Sequence, residues 1–172
     1  PLTAAKVGLG ATNEEVNLQA DELQKIAGLG LVLGSTGINK GIRVTSVTGA
    51  NSAGIQGTVT LLATVDDSSV IFDGHASTFH GVAAQADDGV RITADLTASA
   101  GIVYLDGDFD NSNITDTNTT VTFVDNTVIT AETLLTLEAT MGNILPAGKL
   151  TVNAGSGSVL LNSMLSGAAT TS

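Results

Sequence analysis

Four aspartates in one short segment have the spacing of metal ligands. Asp106, Asp108 and Asp110 alternate along the chain, and Asp116 follows closely. Alternating carboxylates begin Ca²⁺-binding loops, because Ca²⁺ prefers oxygen ligands. The EF-hand pattern nevertheless fails, since its required glycine and its final glutamate are both missing. The sequence predicts no cofactor other than a Ca²⁺ ion held by these four residues, and the alternative is a solvated acidic loop without an ion.

Candidate catalytic residues are few. Polysaccharide-active enzymes use paired carboxylates, and the adjacent pairs Asp66-Asp67 and Asp87-Asp88 are better explained by the preference of aspartate for turns. An acidic polysaccharide also needs cationic residues, and the chain has two arginines, Arg43 and Arg91. Cysteine is absent, and neither a serine-hydrolase elbow nor a phosphate-binding loop occurs. The sequence therefore predicts a protein that is not an enzyme.

The composition limits which partners the protein can bind and which side chains can form its core. The chain of 172 residues has 6 Lys and Arg against 17 Asp and Glu, a net charge of −11, which disfavours nucleic acid and anionic membrane surfaces. No run of about 18 apolar residues, the length of a membrane span, is present. Hydrophobic residues make up 42% of the chain but aromatic residues only 3%, so the core must be built from small aliphatic side chains. Such side chains suit identical layers stacked on one another.

Short strand patterns led by glycine or a small polar residue recur along the chain. They occupy residues 30–33, 41–45, 57–61, 69–72, 81–84, 89–93, 101–105, 120–123, 133–137, 148–152 and 157–161. The interval from Gly57 to Gly81 equals that from Thr133 to Gly157, and the interval from Gly81 to Gly101 is slightly shorter. Polar and apolar residues alternate with period two in several of these segments, including the segment from Gly89 to Leu96, which is typical of half-buried strands.

These patterns predict an all-β fold, a right-handed parallel β-helix (β-solenoid) with coils of about 20–25 residues. An antiparallel β-sandwich is the alternative. Residues 1–28 are expected to form a capping lead-in, with a short helix that Thr12 or Asn13 would cap. Residues 29–165 are expected to form the stacked coils and residues 166–172 a flexible tail. Because the chain begins at Pro1 without a signal peptide, we expect a piece of a longer protein.

The segment from Leu18 to Val44 carries the most specific pattern. Glu22-Leu23 is followed by Ile26, then by Gly-Leu-Val-Leu-Gly at 30–34, and then by a strand beginning at Gly41. This order resembles a coil of filamentous-haemagglutinin-like proteins, which include two-partner-secreted exoproteins and related β-strand-repeat surface proteins. Segments 89–96, 101–108 and 137–144 resemble further coils of the same class. The resemblance implies a right-handed parallel β-helix, an extracellular location, an adhesive or structural role and no shared catalytic residues.

We therefore expect a non-catalytic structural or adhesive segment of a secreted fibre or surface protein, located outside the cell or on the bacterial cell surface. Its expected partners are glycans or proteins on a host or neighbouring cell, with end-to-end self-association as a further mode. Neither nucleic acid nor membrane insertion is expected. The alternatives are a self-assembling extracellular filament subunit and a β-helical polysaccharide-active enzyme.

Overall fold

The computed structural model describes residues 5–36, 39–112 and 116–165, and within these ranges the protein is mostly β. This part of the chain contains sixteen strands and two short helices. The strands are β1 Ala5–Gly10, β2 Val16–Leu18, β3 Gly28–Gly34, β4 Asn39–Thr45, β5 Ile55–Ala63, β6 Val70–Asp73, β7 Ser77–Phe79, β8 Gly81–Ala86, β9 Val90–Ile92, β10 Leu96–Ala98, β11 Val103–Asp106, β12 Val121–Phe123, β13 Thr127–Thr130, β14 Leu134–Pro146, β15 Leu150–Asn153 and β16 Ser158–Leu165, and the helices are α1 Ala20–Leu23 and α2 Gly49–Ser52.

Every strand pair in the described residues is parallel. A large twelve-stranded sheet curls into a half-barrel, and a second sheet has the order β15-β13-β10-β7. Apart from β1 and β2, which are joined by a short connection, strands that pair are separated along the chain by a full circuit rather than by a hairpin, as is usual for parallel pairing. The all-β, parallel and solenoid-like architecture predicted from the sequence is confirmed, and the antiparallel sandwich is wrong.

The strands lie on three faces, which we name A, B and C. Face A contains β2, β1, β4, β6, β9, β12 and the end of β14, face B contains β7, β10, β13 and β15, and face C contains β3, β5, β8, β11 and the starts of β14 and β16. From β6 onward the chain visits A, B and C in that order, and we call each circuit a winding. In the first two circuits α1 and α2 follow the face A strands where the later windings have a face B strand.

The length of a winding agrees only in part with the expected period of about 20–25 residues. On face C, Val59 pairs with Val82 and Val82 with Val103, and both of these steps fall within the expected period. The next step, from Val103 to Leu135, is considerably longer because residues 107–120 lie between β11 and β12. The strand segments are thus irregularly spaced along the sequence because residues are inserted between strands. The strands themselves remain in register.

Inward-facing side chains of face C form continuous columns. One column contains Leu33, Leu61, Ala84, Leu105, Leu137 and Leu161, and its neighbour contains Leu31, Val59, Val82, Val103, Leu135 and Val159. Members in the middle of each column are fully buried. Burial of each Leu or Val side chain contributes about 1.5–3 kcal/mol to folding stability. The core is therefore built from aliphatic columns, as the low aromatic content predicted.

Strand β14 is long because it turns the corner from face C to face A without a break. Gly142 lies at this corner, where a Cβ atom would overlap the carbonyl oxygen of Thr119 in the winding below. No side chain fits in that space, so glycine allows the two backbones to approach.

The lead-in differs from the sequence-based expectation. Helix α1 begins after Gln19, whose backbone N–H donates to the Glu22 carboxylate at 2.9 Å. The expectation that Thr12 or Asn13 caps the helix is wrong, because the residues that follow form β2 and pair with β1. Leu23 of α1 is fully buried. The lead-in therefore covers part of the core, whereas the expected flexible tail at 166–172 lies outside the described residues.

The alternating segment from Gly89 to Leu96 is two strands rather than one. Residues Val90–Ile92 belong to β9 on face A, and Leu96 begins β10 on face B. Between them Thr93 donates its backbone N–H to the Phe72 carbonyl at 2.8 Å, and the Asp95 carbonyl accepts from the Ser77 backbone N–H at 3.0 Å. Both bonds join this winding to the previous one, and so fix the corner between the two faces.

Candidate functional site

A groove runs along the outer surface of face A, across its strands. Three adjoining cavities of about 300, 270 and 520 Å³ form this face A groove, and Arg91 lines all three. The outward positions that pair successively through the sheet are Gly8, Arg43, Ile71, Arg91, Thr122 and Leu145. The groove therefore follows the stacking direction, and a linear ligand lying in it would cross several windings.

Cationic side chains collect at the N-terminal end of this groove. Lys6, Lys40, Arg43 and Arg91 line its first cavity. They are four of the six Lys and Arg residues in a chain of net charge −11. No sequence pattern indicated this cluster, because Arg43 and Arg91 are far apart along the chain and meet only through the register of β4, β6 and β9.

Arg43 is held in place by neighbouring acids. Its Nε and Nη2 atoms donate to Asp73 Oδ2 at 2.9 and 2.6 Å, and its Nη1 atom lies 3.8 Å from Glu14 Oε1. Thr45 donates its hydroxyl to Asp73 Oδ1 at 2.6 Å. Burial raises the pKa of Asp73, but the hydrogen bonds from Arg43 and Thr45 outweigh burial and hold that pKa below its ordinary value. Arg43 is thus a fixed, charge-compensated part of the groove wall.

Arg91 and Lys40 are differently placed. Both side chains are exposed, and neither forms a hydrogen bond or a salt bridge with a described residue. A guanidinium presents a planar fork of donors that matches a carboxylate. Thr93, Thr122 and Asn118 line the groove beside Arg91 and add hydroxyl and amide groups. The arrangement can therefore receive an anionic group at Arg91 and hydroxyl groups on either side of it.

A second polar cluster occupies the corner between faces C and A. Asp66, Asp87 and Asp116 each follow a face C strand, in three successive windings. One carboxylate oxygen from each residue lies within 4.8 Å of the other two. We call these three residues the corner triad. Among the described residues they are the group close enough together to hold a metal ion.

Burial and nearby negative charge raise the pKa of two members of the corner triad, Asp87 and Asp116. Asp87 is 5% exposed, and its Oδ2 atom accepts the backbone N–H of Asp67 at 3.0 Å. Burial, together with the charge of Asp116, raises the pKa of Asp87 to about 6. Burial and the charge of Asp110 likewise raise the pKa of Asp116, whose Oδ2 atom is buried without a hydrogen-bond partner in the described structure. The triad therefore favours a proton or a hard cation.

Two of the aspartates predicted to bind Ca²⁺ have other contacts. Asp106 Oδ2 lies 3.1 Å from the Tyr104 hydroxyl, which is also 2.9 Å from Glu138 Oε2. Asp108 is 1% exposed, and its Oδ2 atom accepts the backbone N–H of Met141 in the next winding. Burial raises the pKa of both Asp106 and Asp108. Asp106 thus holds the turn that directly follows β11, because its Oδ1 atom accepts the Asp108 backbone N–H at 3.1 Å, and Asp108 ties this turn to the next winding.

The four aspartates predicted to bind one ion therefore have different surroundings in the structure. Asp116 joins Asp66 and Asp87, which the sequence pattern assigned to turns, while Asp110 is exposed and accepts the Ser112 backbone N–H at 2.9 Å. A Ca²⁺ ion held by Asp106, Asp108, Asp110 and Asp116 stays a prediction. The signal that sequence reasoning missed is the recurrence of aspartate at the same corner of successive windings.

We expect Asp87 to make the protein less stable as pH rises from about 4 to about 6. The pKa of Asp87 is about 6 in the folded chain and 3.8 ordinarily, so within this window the folded state keeps a proton that the unfolded state has lost. Each rise in pH within this window then favours unfolding. The loss of folding stability caused by ionisation of Asp87 is complete above about pH 6. Urea unfolding should find Asp87→Asn more stable than wild type by up to about 3 kcal/mol at neutral pH, and equal to it near pH 4.

Asp21→Asn provides the matched control, because Asp21 is exposed and its ion pair with Lys25 spans 3.8 Å. Exposed pairs of this kind contribute little to stability. An Asp87→Asn variant that is less stable than wild type at neutral pH would contradict the assigned pKa shift.

Comparison with known proteins supplies no further assignment, since no family model, curated protein or solved structure matches the chain. Of the residues that the structure describes, none lies in a helix long and apolar enough to cross a bilayer. The face A groove and the corner triad therefore have to be interpreted from their own geometry.

Proposed function

We propose that the chain is a non-catalytic β-solenoid segment of an extracellular bacterial surface or fibre protein, in which the windings serve as a shaft and the face A groove as an adhesive surface. On this proposal the fold is a right-handed parallel β-helix, and the resemblance of the segment from Leu18 to Val44 to filamentous-haemagglutinin-like coils reflects a real relationship. Parallel pairing of every described strand supports the shaft. The groove supports adhesion.

The ligand that best fits the groove is an acidic glycan with carboxylate groups. The single observation that carries this choice is the position of Arg91, which is exposed, forms no salt bridge with a described acid and lines all three cavities. A glycan presents hydroxyl groups between its charges, and Thr93, Thr122 and Asn118 are suited to bind them. An extended peptide fits less well, because the groove crosses the strands and offers no free strand edge for it to pair with.

The negative charge of the rest of the protein does not exclude such a ligand. At physiological ionic strength charges are screened beyond about 8 Å, so a bound carboxylate responds mainly to the groove. In its first cavity the four cations outnumber the two acids, Glu14 and Asp73. Raising the salt concentration should weaken binding.

Titration with polygalacturonate, and with neutral dextran for comparison, tests the proposal. We expect wild type to bind polygalacturonate and not dextran, and Arg91→Gln to weaken that binding about tenfold, the size of a lost charge-assisted hydrogen-bond pair. Lys25→Gln is the matched control, because Lys25 is an exposed cation that follows α1 and lies outside the groove. Its binding should equal that of wild type.

Two results would contradict this assignment. Equal affinity of the Arg91→Gln and Lys25→Gln variants would mean that any binding is nonspecific, and absence of binding by wild type would leave the groove without its proposed ligand class. Release of shorter oligosaccharides during the titration would instead favour the polysaccharide-active enzyme.

A further inference from the structure

The two outermost strands of face C are β3 at one end of the windings and β16 at the other. In the described part of the chain β3 pairs only with β5 and β16 only with β14, so each has an open edge. Neither strand contains a charged residue. Edge strands usually carry charges, proline or bulges that block pairing with another chain. The edge strands β3 and β16 contain neither charged residues nor proline.

Large aliphatic side chains mark these two ends on the outer side of the sheet as well. The outer positions that pair successively through face C are Val32, Thr60, Ala83, Tyr104, Thr136 and Leu160. Val32 is 61% exposed and Leu160 is 46% exposed, whereas the four positions between them are polar, aromatic or small. On the inner side Val159 and Leu161 are also exposed at the end of their columns.

We propose that these ends bind each other, so that β16 of one copy pairs in parallel with β3 of a second copy, head to tail. The intrachain register then continues across the junction. Val159 meets Leu31 of the second copy, Leu160 meets Val32 and Leu161 meets Leu33, and each inward column of face C runs on without interruption. This inference rests on the proposed role of the windings as a shaft, and it names the partner that extends the shaft.

Charge favours this orientation over the joining of two C-terminal ends. After Glu138 the sequence contains one charged residue, Lys149, immediately before β15. The part of the chain from 5 to 36 has four acidic residues, Glu14, Glu15, Asp21 and Glu22, against two lysines. A head-to-tail junction therefore brings a weakly positive end to a negative one, whereas a tail-to-tail junction opposes two lysines.

Sedimentation velocity and electron microscopy over a range of concentrations test the proposal. We expect wild type to form linear chains that lengthen with concentration, and Leu160→Lys and Val32→Lys each to sediment as single chains. Both positions are exposed, so both variants should keep the wild-type circular dichroism spectrum. Val128→Lys is the matched control, because Val128 is an exposed aliphatic residue of β13, away from both ends. It should assemble like wild type.

Cross-linking defines the register, because the chain has no native cysteine. A short bis-maleimide should join the L160C variant to the V32C variant in a mixture, and should join neither variant to itself. Self-linkage of L160C would overturn the head-to-tail arrangement. A monomeric wild type would overturn the proposal, as would assembly only after removal of residues 166–172, since the chain itself would then cover the edge. None of these negative results bears on glycan binding in the face A groove.

Discussion

Deletion of residues 82–102 is expected to leave a folded protein that is one winding shorter. The deletion removes one strand from each face, because Val103 then takes the place of Val82 against Val59, Val121 pairs with Val70, and Ile129 pairs with Ser77. In a stacked array each unit contacts only its neighbours, so loss of a whole unit preserves the remaining interfaces. Circular dichroism and thermal unfolding should record a β-rich protein with a single cooperative transition and a lower melting temperature.

Deletion of residues 82–91 is the matched control. It removes fewer residues but takes β8 and most of β9 while leaving β10 on face B. The chain would then have to return to face B without a circuit, so we expect loss of cooperative unfolding. Equal behaviour of the two deletions would contradict the assignment of windings.

Leu105→Ala is expected to lower the free energy of unfolding by about 3 kcal/mol, since large-to-small changes in a packed core cost about 2–5 kcal/mol. Leu105 is fully buried in its column, with Ala84 below and Leu137 above. Because Ala84 is already small, the neighbours cannot easily fill the cavity. For a chain of this size the melting temperature should fall by about 6–12 °C.

Leu134→Ala removes the same atoms from a position that is 36% exposed. Its loss of buried apolar surface is therefore smaller, and we expect a change of less than about 1 kcal/mol. Denaturant unfolding of both variants measures the difference directly. Similar losses of stability in the two variants would mean that Leu105 does not lie in a continuous core column.

Sequence reasoning found strands whose signal was local. Face A and face C strands such as β4 and β5 carry glycine at or near their start and alternate clearly, and every predicted strand segment overlaps a strand of the structure. The face B strands β7, β10 and β13 were missed because each is very short and none directly follows a glycine, whereas β9, which is equally short, follows Gly89. A segment so short presents one or two inward side chains, which is too few to establish a period.

The candidate sites could not be predicted, for a related physical reason. Neither the face A groove nor the corner triad is local in sequence, since Arg43 meets Arg91, and Asp66 meets Asp87 and Asp116, only when successive windings stack. The stacking register depends on insertions such as residues 107–120, which lie between β11 and β12. A pattern within one segment therefore predicted Asp116 as a candidate ligand but could not predict which carboxylates lie beside it.

The distance between spin labels at V32C and L160C tests the stacked windings most directly. These positions are five strand steps apart on face C, and steps of about 4.8 Å give a separation of about 24 Å. Dilution with unlabelled protein removes distances between copies. We expect about 24 Å in the full chain and about 19 Å after deletion of residues 82–102. An unchanged distance after the deletion, or a distance unrelated to the number of strand steps, would contradict the account.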